Sequence, residues 1–256
     1  MLRNTFRSLY YMMYGASGKS IKINDNDYVV SAHIARGISS EIDELPMKLL
    51  MRLSRNADTV FDVGANVGII STIVAKEMKP GSVIYSFEPA PLSYKYLADT
   101  ARVQKGNAGV KPFNFAVSNA TGKLYFTNDG NSCTNHVAKE NEANVIAVDA
   151  IALDSFCKQH GVIPDVIKVD IEGAEYWALQ GMEQLLKEND IIVLMEIHSV
   201  FLAQNNITGA MFADIIDRAG YKVYNVDGRE MKSTDILNTT CAIIARQQPL
   251  HAYAGM

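Results

Sequence analysis

The chain has 256 residues, 48% of them hydrophobic and 20% charged, a balance that suits a packed globular core and excludes a disordered or fibrous chain. A formal net charge of −4 gives no electrostatic reason to expect nucleic acid. Cys133, Cys157 and Cys241 are odd in number and far apart, so they suggest neither a disulfide framework nor a zinc site, and a reducing, cytoplasmic setting is the expectation.

The first stretch, "MLRNTFRSLYYMMYGASG", repeats Leu2, Phe6, Leu9 and Met13 at helical spacing. A helix packed on the domain is the favoured reading. A helix lying weakly on a membrane surface and a secretion signal are the alternatives. No apolar run reaches the length of a membrane span. "IKINDNDYVVSA" reads as a small hairpin and "SEIDELPMKLLMRLS" as a helix, so residues 1–57 form an α-rich extension with a hairpin.

From Thr59 the pattern alternates. "TVFDVG", "SVIYSFEP", "VKPFNFAVS", "DVIKVD" and "IIVLMEIH" read as strands. The helices are "VGIISTIVAKEM", "SYKYLADTARVQ", "AEYWALQGMEQLLKE" and "GAMFADIIDRAG". "YKVYNVDGREM" and "TTCAIIARQ" complete seven strands, the last two as an antiparallel pair. The expected fold is α/β: a doubly wound, mostly parallel seven-stranded sheet spanning residues 58–246. Between its third and fourth strands lies an insertion, with a strand over Lys123–Thr127 and a long polar loop from Asn128 to Asn144. Residues 247–256 read as a tail.

"VFDVGANVGIIS" puts Asp62 at a strand end, followed by Gly64, Ala65, Asn66 and Gly68 before a helix. Ligands of open α/β sheets bind at such carboxyl ends. The spacing lacks the middle glycine that admits a pyrophosphate, Ala65 standing there, and there is no phosphate-cradling G-K-[ST]. Glu88, ending "SFEP", can accept both hydroxyls of a ribose. The site therefore asks for a nucleoside without requiring a phosphate, a description S-adenosylmethionine meets. A nicotinamide oxidoreductase and a non-catalytic binding module on the same fold are the alternative readings.

"FDVGANVG", "SFEP", "NFAVSNATG", "IKVDIEGAE" and "LMEIH", in this order between Asp58 and Arg246, resemble the FkbM family of S-adenosylmethionine-dependent methyltransferases of class I, Rossmann-like type. The resemblance implies that Asp62, Gly64, Ala65, Asn66 and Gly68 surround the methionine part of the cofactor and that Glu88 holds the ribose. It puts Asn114, Ala116 and Ser118 along the adenine, and Asp170 near the amino group and methyl. It also implies O-methylation of a hydroxyl on a small molecule, sugar, glycan or secondary metabolite.

A hydroxyl acceptor needs a base near the methyl group or a metal that acidifies it. His198 ranks first as the base and Asp170 second. Glu172 is either an active-site acid or an anionic organiser of the helix start, a role Glu175 shares. Lys168 is expected to pair with Asp170 or Glu172, because a buried lysine is otherwise costly. Asp170, Glu172, Glu196 and His198 could hold Mg²⁺ or Mn²⁺, but no ligand spacing demands it, and no metal is assigned. His33, Arg36, Asn135 and His136 are secondary acceptor-site candidates that read more simply as surface residues, and Trp177 and Leu179 should face the sheet.

Overall fold

The computed structural model describes residues 18–40, 44–127, 137–138 and 145–249. The N-terminal helix, Cys133, Asn135, His136 and the end of the tail lie outside the described residues. No helix among those described is long and apolar enough to cross a membrane.

A hairpin opens the described chain. Strand β1 (Lys19–Ile23) turns through Asn24 and Asp25 into β2 (Asn26–Val30). Both turn residues have positive φ, which short polar side chains tolerate. Helix α1 (Glu44–Ser54) carries Pro46 in its first turn, where the missing N–H breaks no helical bond. Two strand–helix steps and a third strand follow: β3 (Thr59–Val63), α2 (Ile69–Glu77), β4 (Val83–Phe87), α3 (Pro91–Val103) and β5 (Gly109–Phe113).

The expected single strand "VKPFNFAVS" divides. Residues 109–113 pair with β4, while β6 (Ala116–Val117) pairs with β9 (Val145–Ile151) of a second, four-stranded sheet. That sheet also holds β7 (Gly122–Thr127) and β8 (Val137–Ala138), so the insertion is a small sheet rather than a hairpin alone. The joint lies at Asn114, whose Nδ2 donates to the carbonyls of Glu88 at 2.8 Å and Pro89 at 2.9 Å. Pro112 is tolerated because β5 is the edge of the main sheet.

The second half contains α4 (Leu153–His160), β10 (Val166–Val169), α5 (Glu175–Gln180), α6 (Glu183–Glu188) and β11 (Ile192–Glu196). It closes with α7 (Ser199–Gln204), α8 (Gly209–Arg218), β12 (Lys222–Asn225), β13 (Glu230–Met231) and β14 (Cys241–Ala245). The main sheet runs β13-β12-β14-β11-β10-β3-β4-β5. Strands β5, β4, β3, β10 and β11 are parallel, and β14 inserts antiparallel between β11 and β12. It has eight strands rather than seven because the turn at Asp227 and Gly228 lets two further residues, β13, pair on the β12 edge.

Alternation within the strands divides the core. Phe61, Val63, Ile167, Val169, Val193 and Met195 pack with residues of α4 to α8 such as Phe156, Leu179, Leu186, Leu202 and Phe212. Val60, Ile84, Val166, Leu194 and Ile243 pack on the other face with Leu49, Leu50 and Leu53 of α1 and Val74 and Ala75 of α2. The sheet is thus wound on both faces. Trp177 is half-buried against the first of these clusters and Leu179 is fully buried in it.

The helix expected across "AEYWALQGMEQLLKE" is two helices. A Cβ at Gly181 would overlap the Ser118 carbonyl oxygen, so the second sheet presses on the chain there. Asp154 of α4 restarts the helix: its carboxylate accepts from Leu185 N at 2.7 Å and Gln184 N at 3.2 Å. Asp154→Ala is expected to cost about 1 kcal/mol, read as a fall of roughly 2–4 °C in Tm. An unchanged melt would mean that the break is set by Gly181 alone.

Candidate active site

Strands β3, β4, β10 and β11 bring their carboxyl ends together where the strand order reverses, between β3 and β10. In open α/β sheets this is where ligands bind. The register aligns Ser86 with Asp62, Asp62 with Lys168, and Lys168 with Leu194. A row of polar side chains therefore crosses the middle of the sheet on the α1–α2 face.

That row is closely bonded. Asp62 is buried, and its Oδ2 accepts from Ser71 Oγ at 2.5 Å, which in turn lies 2.8 Å from Ser86 Oγ. Lys168 Nζ lies 3.2 Å from Asp62 Oδ1 and 3.5 Å from Asp170 Oδ2, and donates to Gly64 O at 2.9 Å. Lys168 is 8% exposed. Burial works against its charge, but Asp62 and then Asp170 outweigh that and raise its pKa. Of the two expected partners, Asp170 is present. Asp62 is closer, and Glu172 pairs with His198 instead.

The turn after β3 is held from three sides. Gly64 N and Ala65 N donate to Phe87 O at 3.0 and 2.9 Å. Gly64 has φ of 79°, and a Cβ there would overlap the Asp170 carbonyl oxygen, so only glycine lets β3 and β10 approach this closely. Glu88 Oε2 accepts from Asn66 N at 2.9 Å and Oε1 from Ala90 N at 2.8 Å. Burial is the main influence on Glu88 and pushes its carboxyl up to about 7, against the pull of the two amides and Lys168. Gly68 leads into α2, and Leu97 lies against it.

On the far side, Glu175 is fully buried at the start of α5. Its Oε1 accepts from Gly173 N at 3.0 Å and lies 2.6 Å from His198 Nδ1, while Oε2 has no hydrogen-bond partner among the described residues. Glu175, not Glu172, satisfies the amide before the helix. Glu172 sits in the preceding turn with φ of 49°. The other ring nitrogen, His198 Nε2, faces three carboxylates: Glu172 at 3.5 Å, Glu196 at 3.8 Å and Asp170 at 3.9 Å. Burial alone would lower the His198 pKa. The hydrogen bond and charge of Glu175, followed by Glu172 and Asp170, reverse this and raise it to about 9. The protonated ring is favoured by these neighbours. Glu196 is shifted upward, by burial first and then by Asp170.

Asp170, Glu196 and His198 each bring a donor atom within 4.8 Å of the others. A divalent cation there would have to displace the His198 proton. Lys168 and protonated His198 already lie against these carboxylates and offset part of their charge.

The structure thus gathers Asp62, Gly64, Asn66, Glu88, Asp170, Glu172 and His198 at the carboxyl ends of β3, β4, β10 and β11 and in the turns that follow them. Asn114 is occupied by the Glu88 and Pro89 carbonyls. Ala116 and Ser118 are buried, with Ala116 opposite Ala150 and Ser118 N donating to Ile151 O at 3.0 Å. His33 stacks on Tyr96 with ring centroids 5.6 Å apart, and Arg36 is exposed. Sequence reasoning missed Ser71, Ser86 and the Lys168–Asp62 pair. Their signal was present only as polar residues inside otherwise apolar elements.

Comparison with known proteins finds methyltransferases among the relatives. The hexuronic acid methyltransferase AglP of Haloferax volcanii is 26% identical over 154 residues, 60% of this chain and 61% of that protein. Methyltransferase sdnD of Sordaria araneosa is 27% identical, the match spanning 49% of this chain and 60% of that one. The chain thus spans about three fifths of the length of the curated relatives it matches. A crystal structure of methyltransferase FkbM from Methylobacillus flagellatus KT superposes with a TM-score of 0.44 at 16% identity, covering 73% of this chain and 43% of that one. The family model for the methyltransferase FkbM domain matches residues 62–223, from the first acid of the polar row to β12, and by that match the chain belongs to the FkbM methyltransferase family.

Proposed function

We propose that the chain is an S-adenosylmethionine-dependent O-methyltransferase acting on a hydroxyl of a small molecule, sugar or glycan. The observation that carries this is the meeting of the Gly64–Gly68 turn, tied to the Glu88 carboxylate, with the acid–histidine cluster at the ends of β10 and β11. The donor set suits the cofactor. The carboxylate of Glu88 uses two acceptor positions on Asn66 and Ala90 and keeps others for hydroxyls. Asp170, Glu172 and Glu196 suit a ligand that carries positive charge. When bound, the cofactor supplies a methyl group on a sulfonium leaving group.

The protein's own contribution is positioning and proton transfer. Lys168 fixes the Gly64 carbonyl and the Asp170 carboxylate relative to each other. Glu175 holds the His198 ring, so that its Nε2–H lies among the acids. An imidazolium cannot take a proton, so the hydroxyl proton goes to the Asp170 carboxylate as the acceptor oxygen is methylated. His198 offsets the negative charge of that cluster.

Two measurements test this reading. Ribose hydroxyls bonded to Glu88 favour its ionised form, so cofactor binding should draw a proton off the carboxyl. Affinity for S-adenosylhomocysteine is expected to rise about tenfold from pH 6 to pH 8 and then level, since the free protein's Glu88 titrates at about 7. Calorimetry finding no binding at millimolar concentration would end the reading. The rate profile assigns the base. With Asp170 in that role the rate at saturating cofactor does not rise as the His198 ring loses its proton near pH 9, whereas a rise centred there would return the proton to His198.

A further inference from the structure

A cavity of about 470 Å³ opens beside the Lys168–Asp170 corner, on the α1 side of the sheet. Such a volume is ordinary for a small-molecule site. Its walls are apolar: Met47 and Leu50 of α1, Ile70 of α2 and Leu194 of β11. Its polar end is made by Lys168, Asp170 and Glu196. Asp170 belongs to both places, because its carbonyl packs on the cofactor-type turn at Gly64 while the residue lines the cavity. A molecule in the cavity would therefore lie against the residue whose carboxylate faces His198.

The charges limit what can enter. Lys168 is the sole cation among the described lining residues, and its ammonium is committed to Gly64 O, Asp62 and Asp170. Glu196 is the more accessible of the two acids, its side chain 54% exposed. A carboxylate brought to this end would sit beside like charge, with no uncommitted cation among the described lining residues to receive it. A hydroxyl can donate to Asp170 or Glu196 without that penalty.

We propose that the cavity between α1, the carboxyl ends of β10 and β11 and the amino end of β14 is the acceptor pocket, and that it takes an uncharged hydroxyl compound with an apolar flank rather than an acidic sugar. This rests on the methyl-transfer reading above. It assigns Met47 and Leu50 as specificity residues, although they lie far from the sequence motifs.

A matched pair of probes tests it. In p-nitrophenyl β-D-glucoside and p-nitrophenyl β-D-glucuronide the same carbon is a hydroxymethyl or a carboxylate. Each is titrated by saturation-transfer NMR into the full chain held with S-adenosylhomocysteine. The glucoside is expected to bind at least about tenfold more tightly than the glucuronide. Met47→Trp, which fills the cavity, should remove glucoside binding while S-adenosylhomocysteine binds as before. Leu50→Phe gives the same readout should the larger substitution disturb folding. Equal or tighter binding of the glucuronide, no binding of the glucoside, or glucoside binding unchanged in both variants overturns the proposal. A wild-type protein that fails to bind S-adenosylhomocysteine instead overturns the methyl-transfer reading, so the two failures are distinct.

Discussion

Gly64→Ala is expected to reduce affinity for S-adenosylhomocysteine by at least about 100-fold. An L-residue with positive φ pays roughly 1–2 kcal/mol. The larger cost is steric, because the new Cβ would overlap the Asp170 carbonyl oxygen. Backbone cannot step aside as a flexible side chain can, so β3 and β10 must separate. The separation would weaken the bonds from Gly64 N and Ala65 N to Phe87 O and move Asn66 N off Glu88. Calorimetric titration measures the loss. Near-native affinity in Gly64→Ala would mean that the turn does not hold the cofactor. As a control, Gly161 also has positive φ but its Cβ position is open, so Gly161→Ala should show only the backbone cost and leave binding intact.

The second large effect is on stability. Lys168→Met preserves much of the side-chain volume but leaves the buried Asp62 without its cation and Asp170 with only His198. Breaking a buried pair from one side costs about 3–5 kcal/mol. For a chain of this size that corresponds to a Tm lower by roughly 10 °C. Adding Asp62→Asn removes one uncompensated charge and should recover part of the loss, a coupling that additive effects would not give. Thermal melts of the two single variants and the double variant decide the matter. A Lys168→Met melt within about 1 °C of wild type would show that the pair contributes nothing net.

Much of the fold was legible in the sequence because its signals are local. Each parallel strand from "TVFDVG" to "IIVLMEIH" is a short apolar run bounded by turn residues, and the helices between carry their own periodicity. The breaks at Asn114 and Gly181 were not legible. Both arise where distant segments meet, the first through bonds to Glu88 and Pro89, the second through the Ser118 carbonyl. The site follows the same division. Asp170, Glu172 and His198 could be grouped because each ends a neighbouring strand or begins the next turn. That His198 carries its proton could not be read, because it depends on Glu175 being fully buried and 2.6 Å from the ring. The cavity was invisible for a similar reason, since Met47, Ile70, Leu194 and Cys241 come from four separate elements.

The row Ser86–Asp62–Lys168 also bears on how the chain reaches its fold. A strand moved by one residue turns every side chain to the opposite face. In β10 such a slip would drive Lys168 into the cluster of Phe61, Phe87 and Phe156 and carry Ile167 to the side of Asp62. Apolar residues on both faces of a strand would tolerate either alignment almost equally. One lysine among "VIKV" makes the wrong alignment expensive, because its ammonium would then be buried with no carboxylate beside it. The pairing that organises the cleft therefore also acts earlier, as an error check on strand alignment during assembly of the sheet.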